Sequence, residues 1–103
     1  MREIQWSSVA EADYNIILEY IIENFSKEVL EDFSNKLLHT LYIILKNPLA
    51  FRSYKKKSIR KCVINSQLTI YYLIEKDGTI FILTLFGKQN PATLIKIIKQ
   101  LKK

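Results

Sequence analysis

Six of the chain's sixteen basic residues fall within ten positions: Arg52, Lys55, Lys56, Lys57, Arg60 and Lys61. Such a cluster attracts anions, and two tyrosines, Tyr71 and Tyr72, follow it in a strand-like stretch. Basic groups interleaved with aromatic rings are what binding of single-stranded nucleic acid uses. The run 55–57 reads equally as a solvated lysine-rich loop. The tyrosines read first as core residues, one on each face of a strand, with stacking of one of them on a ligand or partner as the alternative. Alternation singles out Arg60. With Ile59 and Val63 on one side, Arg60 shares the other with Cys62 and Ile64. A guanidinium on a mostly apolar face is expected to be either paired or functional. Lys88, in the turn after the last apolar run, is the next candidate.

Other chemistries find little to work with. His39, the single histidine, lies inside a helical pattern and reads as a surface residue before a base. Cys62 has no partner for a disulfide and reads as a reduced, buried thiol. There is no Cys/His cluster of zinc spacing, no glycine-rich phosphate loop and no serine in a nucleophile setting. No metal or cofactor is expected.

Charge divides the chain sharply. Residues 1–46 hold eight acids against four bases, a balance of −4, and residues 47–103 hold twelve bases against Glu75 and Asp77, a balance of +10. The C-terminal half is therefore expected to meet something anionic, either nucleic acid or an acidic protein. At 103 residues and 49% hydrophobic, the chain fits one domain, 1–103, with a real core. No apolar window approaches the roughly 18–20 residues of a membrane span, and no secretory signal is visible, so a cytoplasmic protein is expected.

The elements that position these residues follow from periodicity. Residues 2–6 alternate as a short strand. Ser8 and Glu11 have the spacing of a capping box, and Ala10, Tyr14, Ile17, Ile21 and Phe25 form a helical stripe. Ser26 caps a second helix with Leu30, Phe33, Leu37, Leu41 and Ile44 on one face, which Pro48 ends. Residues 49–57 read as a loop, and strands are expected at 58–65, 68–75 and 79–86. The last two strands join through Asp77-Gly78, and the third, apolar on both faces, is expected to be central. Asn90-Pro91 opens a terminal helix. The order is β-α-α-β-β-β-α, an α+β domain whose N-terminal strand and three-stranded antiparallel meander form one sheet under a helical hairpin.

Order and residues together resemble the RelE/ParE superfamily of type II toxin–antitoxin toxins, and more closely its ParE-like, plasmid-stabilisation branch. The resemblance rests on Trp-Ser-x-x-Ala-x-x-Asp at 6–13, Asn-Pro-x-x-Phe-Arg at 47–52, Ile-Arg-Lys-Cys-Val-Ile at 59–64, Thr-Ile-Tyr-Tyr-x-Ile at 69–74 and Leu-Phe-Gly-Lys-Gln-Asn-Pro at 85–91. It implies an antiparallel sheet under the hairpin, and a cognate antitoxin whose C-terminal segment wraps the toxin in an apolar groove. It also implies growth arrest, by inhibition of DNA gyrase in the ParE branch or by ribosome-dependent mRNA cleavage in the other.

Metal-independent RNA cleavage needs an activated 2′-hydroxyl, a stabilised phosphorane and a protonated leaving oxygen. Aligned through Gly87-Lys88, the positions that the mRNA-cleaving branch fills with arginine fall near Thr69 and at Gln89, and its tail aromatic falls near Ile95. Its earlier basic pair falls near Arg60 and Cys62, and no tyrosine or histidine follows residue 72. Arg60, Lys61 and Lys88 are what remains for an endonuclease. The expected function is a binding toxin that inhibits gyrase. The alternatives are an mRNA endonuclease, or an inactive relative acting only in an antitoxin complex.

Overall fold

The computed structural model describes residues 3–54, 56–64 and 68–86, with the backbone alone at 54, 56–58 and 86. The turn expected at 66–67 and the terminal helix expected from residue 90 lie outside the described residues. The elements are β1 (Ile4–Trp6), α1 (Ser8–Asn24), α2 (Lys27–Lys46), β2 (Arg52–Tyr54), β3 (Lys56–Val63), β4 (Leu68–Ile74) and β5 (Ile80–Phe86). The strands make one sheet in the order β1-β5-β4-β3-β2. This is the expected α+β layout, with three differences.

The first concerns β1, which pairs parallel to β5 with Ile4 beside Ile80 and Trp6 beside Ile82, so the sheet is mixed and not wholly antiparallel. The intervening chain returns to β5 by a long route, and a return of that length permits a parallel partner. The second concerns the stretch expected as a loop, which contains β2, paired antiparallel to β3 with Arg52 beside Lys61 and Ser53 beside Arg60. Lys56 and Lys57 thus lie on a strand. A lysine run carries no apolar alternation, and backbone pairing alone makes it a strand here. The third is a matter of order: β5 is paired on both sides, as its two apolar faces require, but β4 is the middle strand.

Local chemistry sets the helix boundaries. Ser7, not Ser8, caps α1: its Oγ accepts the Ala10 amide at 2.9 Å and its carbonyl accepts the Glu11 amide at 3.0 Å. The cap sits one residue early because Ser7 still belongs to the sheet. Its amide donates to the Ile82 carbonyl at 3.0 Å and its hydroxyl to the Leu83 carbonyl at 2.7 Å. Ser26 caps α2, accepting the Val29 amide at 3.4 Å, and Asn47 ends it with its amide on the Ile43 carbonyl. The β4–β5 hairpin turns at Gly78, whose φ of 92° a side chain would oppose. Asp77 steadies this turn by accepting the Thr79 amide at 2.9 Å.

The main core lies between the hairpin and one face of the sheet. Leu37, Leu41 and Ile44 of α2 meet Ile70, Tyr72, Ile80 and Ile82. Each aliphatic side chain buried there contributes roughly 1.5–3 kcal/mol. A second, smaller cluster of Ile59, Tyr71, Leu73 and Leu83 occupies the other face. Phe25, expected on the buried stripe of α1, is 51% exposed.

Candidate target-binding and partner surfaces

The chain leaves α2 at Asn47 and turns at once, with the Ala50 amide on the Asn47 carbonyl at 3.1 Å. Pro48 is buried and Phe51 packs against the main core, so the turn is pinned by apolar contact. Two donors from the sheet pin it further. The Tyr72 hydroxyl donates to the Pro48 carbonyl at 2.6 Å, and Arg60 Nη1 donates to the Phe51 carbonyl at 2.7 Å. Burial pushes the Tyr72 phenol up to about 12, against a smaller downward pull from the Arg60 charge and a further push from Cys62. The hydroxyl therefore stays a proton donor throughout the physiological range. Burial likewise raises the Cys62 thiol, which keeps it neutral.

The candidate residues separate into distinct settings. Arg52 is exposed on the edge strand β2. Lys61 is half-buried, directly across from Arg52 on one side and from Tyr71 on the other. Arg60 is half-buried on the opposite face with Cys62 and Ile64, as alternation requires, and it is paired. The backbone of Lys56 and Lys57 runs at the start of β3, while Lys55 and Lys88 lie outside the described residues. Both tyrosines are core: Tyr71 is 1% exposed and Tyr72 is not exposed at all. This is the core reading of both rings, and the alternative in which one ring stacks on a ligand is corrected, because both faces of β4 are covered. His39 is an exposed residue of α2. Among the described residues, no three His, Cys, Asp or Glu side chains gather as metal ligands, and no helix is long and apolar enough to cross a membrane.

Two features carry only a faint signal in the sequence. One is Asp13, a buried carboxylate on an otherwise acidic, solvated hairpin. It accepts the Thr84 hydroxyl, and the Leu85 amide at 3.1 Å. It thereby serves the backbone of β5 beyond the point where β1 has ended. The only signal was its place in the Trp-Ser-x-x-Ala-x-x-Asp run, in which each named residue has a structural task. Trp6 meets the Tyr14 ring edge-on, Ser7 caps the helix and ties it to β5, Ala10 is fully buried and Asp13 satisfies β5.

The other feature is an apolar groove of about 580 Å³ at the hairpin end of the molecule. Ile16 and Tyr20 of α1, Phe25 of the bend and Val29 of α2 line it, together with Ile64 and Leu68 and the charged Asp32 and Lys36. Ile16 and Tyr20 are 55% and 57% exposed. The signal for it was that α1 is apolar on more than one side, which a helix with a single buried stripe does not need.

The sequence model of the family described as "ParE toxin of type II toxin-antitoxin system, parDE" matches residues 4–90. No curated protein matches the chain. Among solved structures, the solution structure of the conserved hypothetical protein HP0892 from Helicobacter pylori is similar at 23% identity and a TM-score of 0.48, covering 91% of this chain and 99% of that one. A match spanning β1 through the end of β5, every described element, settles the affiliation: this chain belongs to the ParE toxin family of type II toxin–antitoxin systems.

Proposed function

We propose that this toxin arrests growth in the cytoplasm by binding DNA gyrase, without cutting nucleic acid, and that a cognate antitoxin neutralises it by filling the apolar groove on the hairpin. The observation that carries the binding reading is the engagement of Arg60 and Tyr72. Arg60 is the arginine of the set Arg60, Lys61 and Lys88 left for an endonuclease, Tyr72 is the phenol opposite it, and both are committed to main-chain carbonyls of the 48–51 turn. Thr69, near the position where the mRNA-cleaving branch carries arginine, is buried, which supports the same reading. Losing one acid–base group of this kind slows a reaction by about 10²–10⁴. What remains is exposed charge: Arg52 at the sheet edge suits an anionic protein or gyrase-bound DNA.

The test is supercoiling of relaxed plasmid by purified gyrase with antitoxin-free toxin. The reading expects loss of supercoiling, accumulation of linear DNA and rescue by the antitoxin. Full gyrase activity at a large toxin excess, with cleavage of mRNA on translating ribosomes, would replace it by the endonuclease reading.

A further inference from the structure

Arg60 and Tyr72 stand directly opposite one another on β3 and β4. From this pair two donors leave the sheet towards the same turn, one to the Pro48 carbonyl and one to the Phe51 carbonyl. The two acceptors bracket the turn, and the next residue after the second is Arg52, the first of β2. That strand has three residues, lies at the sheet edge and loses regular register between Ser53 and Tyr54. So short an edge strand has little ladder of its own to hold it. Its position is set by what anchors the residues before it.

We propose that Arg60 and Tyr72 are positioning residues for target binding. They clamp the 48–51 turn so that β2 lies on β3 and Arg52 is presented to an anionic surface of the target. This rests on the binding reading given above and names the residues that shape its surface. Arg52 is exposed on the edge strand, where an anion can reach it. Arg60, by contrast, spends its guanidinium inward and acts through the turn. The Tyr72 donor keeps its proton at all physiological pH values, since burial holds its phenol well above neutrality. The clamp is thus a fixed part of the surface.

A contact role and a positioning role for Arg60 make different demands on Tyr72. Tyr72→Phe removes one hydroxyl, leaves the ring in the core and changes no charge at neutral pH. We would compare the full-length wild type, Tyr72→Phe, Arg60→Gln and Arg52→Gln by two measurements. One is amide hydrogen exchange at residues 50–54, with the β5 amides as the reference for global opening. The other is the toxin concentration that half-inhibits gyrase. Tyr72→Phe and Arg60→Gln are each expected to speed exchange at 50–54 about five- to ten-fold relative to β5, and to weaken inhibition by a similar factor. Arg52→Gln is expected to weaken inhibition with exchange unchanged. Wild-type exchange at 50–54 in Tyr72→Phe overturns the proposal. So does faster exchange with full potency. If the wild type leaves gyrase untouched, the gyrase reading falls by itself. Growth arrest in cells induced for each variant then replaces the potency measurement, and full arrest by Tyr72→Phe overturns the clamp.

Discussion

Single side chains at the seams between elements decide much of this molecule. Asp13 is buried on a helix and answers two donors of β5 seventy-one and seventy-two residues away. Asp13→Ala would leave a buried hydroxyl and a buried amide without partners, at roughly 1–3 kcal/mol. Urea or thermal unfolding should show a loss of that size, against little change for Glu11→Ala, at an exposed acid of the same helix. Tyr72 makes a prediction in pH. Its folded phenol is held near 12, above its ordinary value of 10.0, so the neutral form favours the fold. The contribution is complete below the ordinary value and is lost as pH rises from there through the folded value. Unfolding curves between pH 9 and pH 12 should show a steeper alkaline loss for wild type than for Tyr72→Phe, as roughly expected for one titrating group. Equal slopes would mean that the phenol is not held up by the fold.

At the scale of elements, the helix starts are the clearest case of local chemistry meeting a tertiary demand. Ser7 and Ser8 are adjacent and chemically identical, yet only Ser7 both caps α1 and hydrogen-bonds β5. Ser7→Ala should cost about 1–2 kcal/mol, and Ser8→Ala less than about 0.5 kcal/mol. A pair of unfolding midpoints decides it, and the reverse order would place the cap at Ser8. Periodicity located α2 well because Leu37, Leu41 and Ile44 repeat on one face and are all buried. It described α1 less well, because an apolar surround has no single inward side. It missed β2, whose three residues Arg52, Ser53 and Tyr54 carry no apolar alternation and follow a turn anchored from the sheet.

Across the whole molecule, the apolar groove and the described bases of β2 and β3 lie on different elements. The hairpin carries most of the acids and lines the groove, while Arg52, Arg60 and Lys61 belong to β2 and β3. Two binding events at two surfaces are therefore physically separable. Tyr20→Ser, at a residue 57% exposed in the groove, should leave stability within about 0.5 kcal/mol of wild type and weaken antitoxin binding about ten-fold or more. Gyrase inhibition by the free toxin should be unchanged. Calorimetric titration with the antitoxin checks the first part and the supercoiling assay the second. Unaltered antitoxin affinity would remove the groove from the antitoxin's footprint.

The sequence by itself determined the helical hairpin, the three main strands, the Asp77-Gly78 turn, the lopsided charge and the inward face of Arg60. Each is written in spacing or composition over a few consecutive residues, where period and turn chemistry act. Tertiary structure alone decided that β1 joins β5 in parallel, that Ser7 displaces Ser8 as the cap and that Arg60 spends its charge on the Phe51 carbonyl. These outcomes depend on partners about nine to seventy-six residues away, and no local pattern encodes such a partner. A backbone carbonyl in particular has no residue type, so the acceptors that bind Arg60 and Tyr72 leave no mark in the sequence.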